Sequence, residues 1–150
     1  MTKQAWTLVV LAVVLGALYI FRFTDLGRTR QIQINVSSRP FAPNAAPDDI
    51  LPVMFGLDRE WRLTALRVTP LTEVSNAQPK RVWNLVSKAK TGSEPLLGFV
   101  YGHDVAGMQQ FGGVPPSRLQ PGTAYRLEIE APRARGSVNF TPQAAGGTPR

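Results

Sequence analysis

Leu119-Gln120-Pro121-Gly122-Thr123-Ala124-Tyr125-Arg126-Leu127-Glu128-Ile129-Glu130-Ala131 holds a turn and a strand in one stretch. Pro121 and Gly122 supply the turn. Beyond them polarity alternates strictly. Tyr125, Leu127, Ile129 and Ala131 fall on one face, and Arg126, Glu128 and Glu130 on the other. Period two means a strand with one buried and one solvated face.

Working outward, residues 137–141 form a further strand around Val138 and Phe140, and residues 142–150 read as a flexible tail. Upstream, short apolar runs at 96–101, 81–87 and 53–57 are separated by Gly and Pro. Residues 60–69 read as one strand in which the apolar positions change phase, from Trp61, Leu63 and Ala65 to Leu66 and Val68. A β-bulge accounts for such a change. Residues 31–36 alternate again, with Ile32, Ile34 and Val36 on the buried face. Pro40, Pro43, Pro47 and Pro52 then mark a linker of extended backbone. About seven strands with frequent turn signals predict an antiparallel β-sandwich.

The amino-terminal segment differs from all of this. Residues 4–21 carry no charge and would make roughly 27 Å of helix, close to the hydrocarbon thickness of a bilayer. Lys3 and Arg22 close its ends, with Trp6 at one interface and Tyr19, Phe21 and Phe23 at the other. A cleavable signal peptide needs a small-x-small site after a shorter apolar core. Here Leu15-Gly16-Ala17 is the nearest approach, and the apolar run continues past it, so an uncleaved signal anchor is expected. Ala12 and Gly16 form a small-xxx-small pair of the kind that lets membrane helices pack closely. The expected organisation is a transmembrane anchor at 4–23, an exit strand and Pro-rich linker at 24–52, a sandwich at 53–141 and the tail at 142–150.

Near charges alone would place the domain in the cytoplasm, because Arg22, Arg28 and Arg30 outnumber Lys3. Domains of this length translocate largely regardless of charge. A short amino-terminal tail before a β-rich domain favours the inner membrane of a cell, with the domain periplasmic or otherwise extracytoplasmic. The net charge of +7 and pI near 10.6 favour anionic partners. For a tethered chain, lipid headgroups and membrane proteins rank above nucleic acid. The absence of Cys excludes disulfides and thiolate chemistry.

The stretch quoted first resembles the E–F corner and F strand of fibronectin type III domains, whose pattern there is L-x-P-G-T-x-Y. The resemblance covers about a dozen residues. It implies an immunoglobulin- or fibronectin-like sandwich and a tyrosine corner built from Leu119, Pro121, Gly122 and Tyr125. The Tyr125 hydroxyl would bond backbone a few residues upstream. The later stretch Arg133-Ala134-Arg135-Gly136-Ser137 lacks the Asp of an Arg-Gly-Asp motif, so integrin-type recognition is not implied. Trp83-Asn84-Leu85-Val86-Ser87 and Gly98-Phe99-Val100-Tyr101-Gly102 also resemble segments of short membrane-anchored bacterial proteins. A shared sandwich implies fold, not function.

Little in the sequence points to catalysis. His103 stands alone beside Asp104, without a nucleophile motif. Glu128 and Glu130 share a strand face with Arg126 and read as solvated. Asp48 and Asp49 are too few for a metal site, and Gly112-Gly113 and Gly146-Gly147 lack a phosphate-loop pattern. Lys80, Arg81, Lys88 and Lys90 flank Trp83 and read chiefly as solubilising charge. Neither a cofactor nor enzymatic activity is expected. The expected function is an interaction module, an accessory or scaffold subunit of a membrane or envelope complex. The alternative is a module for a glycan or cell-wall polymer, with Tyr101, Phe111 and Trp83 as contact aromatics.

Overall fold

The structure is a computed structural model and describes residues 3–23, 29–38 and 50–145. A helix, α1 (Lys3–Phe23), precedes nine strands among these residues. They are β1 (Arg30–Gln31), β2 (Ile34–Ser38), β3 (Val53–Trp61), β4 (Ala65–Pro70), β5 (Trp83–Ser87), β6 (Leu96–Val100), β7 (Met108–Gln110), β8 (Tyr125–Ala131) and β9 (Ala134–Phe140). A six-stranded sheet has the order β1-β9-β8-β4-β5-β7, and a three-stranded sheet the order β2-β3-β6. Every named pairing is antiparallel except β1 with β9. The chain is therefore mainly β, a sandwich of two sheets with one amino-terminal helix.

The alternation in β8 is realised residue by residue. Tyr125, Leu127, Ile129 and Ala131 are buried, while Arg126, Glu128 and Glu130 lie on the outer face. They meet Leu66, Val68, Leu85 and Trp83 from the same sheet. Phe55 and Phe99 close the core from the other sheet. Aromatic rings bridge the two layers. Phe55 contacts Phe140 edge-on at 5.1 Å and Phe99 at 5.3 Å, and Trp83 contacts Phe99 at 6.1 Å and Tyr101 at 5.0 Å. Such ring pairs add to the burial of their own large apolar area.

The phase change in 60–69 is not a bulge within one strand. The strand ends at Trp61, residues 62–64 cross to the other sheet, and β4 begins at Ala65. Changing sheets reverses which parity faces the core. Leu63 sits fully buried at the crossing. Its backbone N–H donates to Ser93 Oγ at 2.9 Å, and its carbonyl accepts from Ser93 N–H at 2.8 Å. The register does shift, but elsewhere, between Gly56 and Trp61 opposite β6.

The expected strand at 31–36 is also divided. Arg30 and Gln31 pair with Ala134 and Arg135, and Ile34–Ser38 then pairs with β3. Ile32 lies at the switch and is buried, Ile34 is half-buried, and Val36 is 37% exposed because β2 is a sheet edge. The exit strand is thus part of the sandwich, which begins before residue 53. It also extends past 141. Pro142 is buried, Ile50 bridges Ala144, and Leu51 N–H donates to Gln143 O at 3.0 Å. Pro40, Pro43 and Pro47 of the linker and residues 146–150 of the tail lie outside the described residues. The short edge strand β7 has no counterpart in the sequence reading.

Gly136 makes the docking of the exit segment possible. A Cβ there would lie 2.6 Å from Ile32 O and 2.9 Å from Ile32 Cβ, closer than real contacts allow. Gly136→Val is expected to cost about 1–3 kcal/mol by overpacking, read as a lowered urea midpoint. Unchanged stability would show that Ile32 does not pack on β9.

Candidate functional site

No single cleft collects the chemistry-bearing residues, so the site is described by its parts. In α1 the large apolar side chains from Trp6 to Ile20 are exposed. The 18-residue window Lys3–Ile20 has no part buried within the protein and is apolar enough to cross a membrane. Ala12 and Gly16 are four residues apart and share one helix face. A Cβ added to Gly16 would meet nothing within 4 Å. The face is open and no other part of the described chain covers it.

At the far end of the sandwich from β1, the Gln120 N–H donates to the Tyr125 hydroxyl at 3.0 Å. The Tyr125 ring is buried and stacks on Phe140 at 5.8 Å. Leu119 is buried beside it, Pro121 is exposed, and Gly122 takes φ of +76°, where a side chain would be strained. Gly122 N–H donates to Pro142 O at 3.0 Å, which ties the corner to the end of the sandwich. Tyr125→Phe is expected to cost about 0.5–1.5 kcal/mol, the net value of one hydrogen bond. The thermal midpoint measures it, and an unmoved midpoint would show that the bond adds nothing.

The three contact aromatics part company. Trp83 is buried and belongs to the core, so it offers no surface to a ligand. Tyr101 is half-buried and donates its hydroxyl proton to Ser117 O at 2.6 Å, with Val82 O at 3.3 Å. Burial pushes its phenol pKa up, with Tyr125 adding to the rise. Phe111 alone is open, at 58% exposure, beside Val114 at 65%. Tyr101 also lines a cleft of about 420 Å3 with Ile50, His103, Pro116 and Arg118. Phe111, Val114 and Arg81 line a smaller hollow of about 150 Å3 with Asn84, whose Oδ1 is buried without a partner among the described residues.

His103 is exposed, and its Nδ1 lies 3.3 Å from Tyr101 O rather than against Asp104. The outer face of the large sheet is laced with charge. Arg67 Nη1 donates to Glu130 Oε1 at 2.8 Å, and Arg126 Nε donates to Asn139 Oδ1 at 3.0 Å. Glu130 is thereby half of an ion pair, while Glu128 is exposed in a groove of about 460 Å3 with Gln31 and Arg135. Asp58 accepts from Trp61 Nε1 at 2.9 Å, and this bond chiefly holds its carboxyl below the usual range, with Arg59 assisting. Among the described residues no group of three or more metal-ligating side chains converges. Lys80, Arg81, Lys88 and Lys90 are all exposed but do not form one patch. The first two precede β5 and the last two follow it, at opposite ends of the strand.

Comparison with known proteins finds no match, whether against family models, curated proteins or solved structures. The fold and the helix therefore define the class by themselves. It is a two-sheet, antiparallel-rich β-sandwich preceded by one helix apolar enough to cross a membrane.

Proposed function

We propose that the protein is a single-pass, membrane-anchored and non-enzymatic interaction module, an accessory or scaffold subunit of a membrane or envelope complex. The observation that carries this reading is the apolar surface of α1, exposed along its length and joined to the sandwich through six residues, 24–29. An apolar surface of that extent in water would drive aggregation, and a bilayer or partner helices relieve it. Ala12 and Gly16 are the helix positions at which a partner helix packs. The domain lies on the extracytoplasmic side of the inner membrane. The arginines that follow the helix favour the opposite side, but a domain of this size translocates largely regardless of them.

The strand order supports an immunoglobulin- or fibronectin-like arrangement. In that scheme β4, β8 and β9 take the places of strands C, F and G, and β2, β3 and β6 those of A, B and E. β5 beside β4 takes the place of strand C′, and two features depart from the scheme, the added edge strand β7 and the parallel β1.

Purification of the tagged full-length protein from its native membrane in mild detergent, with mass spectrometry of what stays bound, tests the reading. A stoichiometric membrane or envelope protein is expected. A solitary protein would overturn the accessory role. A second reading, a glycan-binding module, is favoured by the cleft beside Tyr101 and by the open ring of Phe111. It predicts retention of the protein on cell-wall polymer that is lost in Phe111→Ala.

A further inference from the structure

Four separated segments meet at the end of the sandwich where the chain arrives from α1. Arg30 N–H donates to Arg133 O at 3.0 Å in the turn between β8 and β9. Thr64 N–H donates to Glu130 O at 2.7 Å just before that turn, and Ser87 N–H donates to Thr64 O at 2.9 Å. The loop after β5 folds onto the sheet crossing, so that a Cβ on Gly92 would lie 3.1 Å from Arg62. These bonds bring Arg30, Arg62, Lys88, Lys90, Arg133 and Arg135 to one end, and all six are exposed. Among the described residues no ion pair engages any of them. The acids at this end are Glu130, which pairs with Arg67, the exposed Glu128, which lines the groove beside Arg30 and Arg135, and the exposed Glu60 and Glu94. Positive charge dominates.

The backbone of Arg133 reinforces this. It takes φ of +64°, the only positive φ at a non-glycine residue among those described. An Arg is uncommon there, where Asn or Gly fits with less strain.

We propose that this end of the sandwich is a docking surface for the anionic phospholipid headgroups of the membrane that holds α1. The proposal rests on the membrane reading above and adds the lipid class and the residues. The tether selects this occupant over a soluble polyanion. From Phe23 to Arg30 the chain can span at most about 25 Å, so the arginines of β1 and of the β8–β9 turn stay close to the headgroup layer. Arg22 at the helix end joins the same layer. Guanidinium groups suit this task, because each can grip a phosphate through two parallel hydrogen bonds. Each cation held near an anionic surface strengthens contact by about fivefold, so removing three should weaken it on the order of a hundredfold.

The chain has no Cys, so a single introduced thiol reports position without background. The full-length protein carries a fluorophore at Thr91→Cys, at the proposed surface, or at Ser75→Cys, at the opposite end. Nanodiscs contain either phosphatidylcholine alone or phosphatidylcholine mixed with phosphatidylglycerol, with an energy acceptor on the headgroups. Transfer from position 91 is expected to rise with phosphatidylglycerol, to exceed that from position 75, and to fall in high salt. Arg30→Gln with Arg133→Gln and Arg135→Gln should abolish the rise. Arg62→Gln with Lys88→Gln and Lys90→Gln should weaken it independently, should the first variant fail to fold. Lys80→Gln with Arg81→Gln, at the far end, should leave it intact. Equal transfer in both lipids, or the same loss from the far-end pair, would overturn the proposal while leaving the anchor standing. Failure of the protein to enter either disc would overturn the anchor and this surface together.

Discussion

Phe55→Ala is expected to remove about 3–5 kcal/mol of stability, which is a large fraction of the roughly 5–15 kcal/mol that holds a domain together. Phe55 is 1% exposed and lies on the three-stranded sheet. Its ring meets Phe140 across the sandwich and Phe99 along its own sheet. Truncation would remove the contact that joins the layers and leave a cavity that neither sheet can collapse to fill. The fixed strand spacing prevents it. Urea unfolding of the full-length protein in nonionic detergent, followed by tryptophan fluorescence, measures the effect, because buried Trp83 reports core opening. A loss below about 1 kcal/mol would mean that the sheets are held together elsewhere.

Leu11→Asp combined with Leu15→Asp is expected to release the protein from membranes. Each acidic residue at the centre of a spanning helix costs about 2.5–3.5 kcal/mol on the insertion scale, so the pair opposes insertion by about 5–7 kcal/mol. Both positions are more than half exposed on α1, so no packing inside the protein is disturbed. The sandwich should keep its β-rich circular dichroism while the chain moves from the carbonate-resistant pellet to the extract. A double variant that still resists carbonate would show that α1 is not what holds the protein there.

What the sequence discloses tracks how much of each element faces one core. β8 is legible in full because it is central in its sheet, and each apolar residue meets Leu66, Val68 or a neighbour at the same depth. The corner at 62–64 is illegible for a physical reason. A bulge and a change of sheet both shift parity by one residue, and only the partners distinguish them. β7 escapes notice because one residue in three, Met108, is buried. Val36 misleads because alternation persists on an edge strand, where the inner side is only partly covered. Of the candidate residues, Tyr125 is found by its turn and Trp83 by its apolar run, but a run does not say which side of a strand is open. The cationic end escaped because its members are distant in sequence. Lys88 and Lys90 read as companions of Lys80 and Arg81 along the chain, yet the strand between them carries the two pairs to opposite ends.

The parallel seam between β1 and β9 also sets an order of events in time. Arg30 pairs with Ala134, so the first strand of the sandwich waits for the last. During synthesis α1 leaves the ribosome well before β9 exists. Until then β1 has no parallel partner, and Ile32 has no glycine to lie against. On the anchoring proposed above, the sandwich would close beside the membrane surface, with Arg30 and Gln31 docking only after β9 is made, whereas Ile34–Ser38 can already pair with β3.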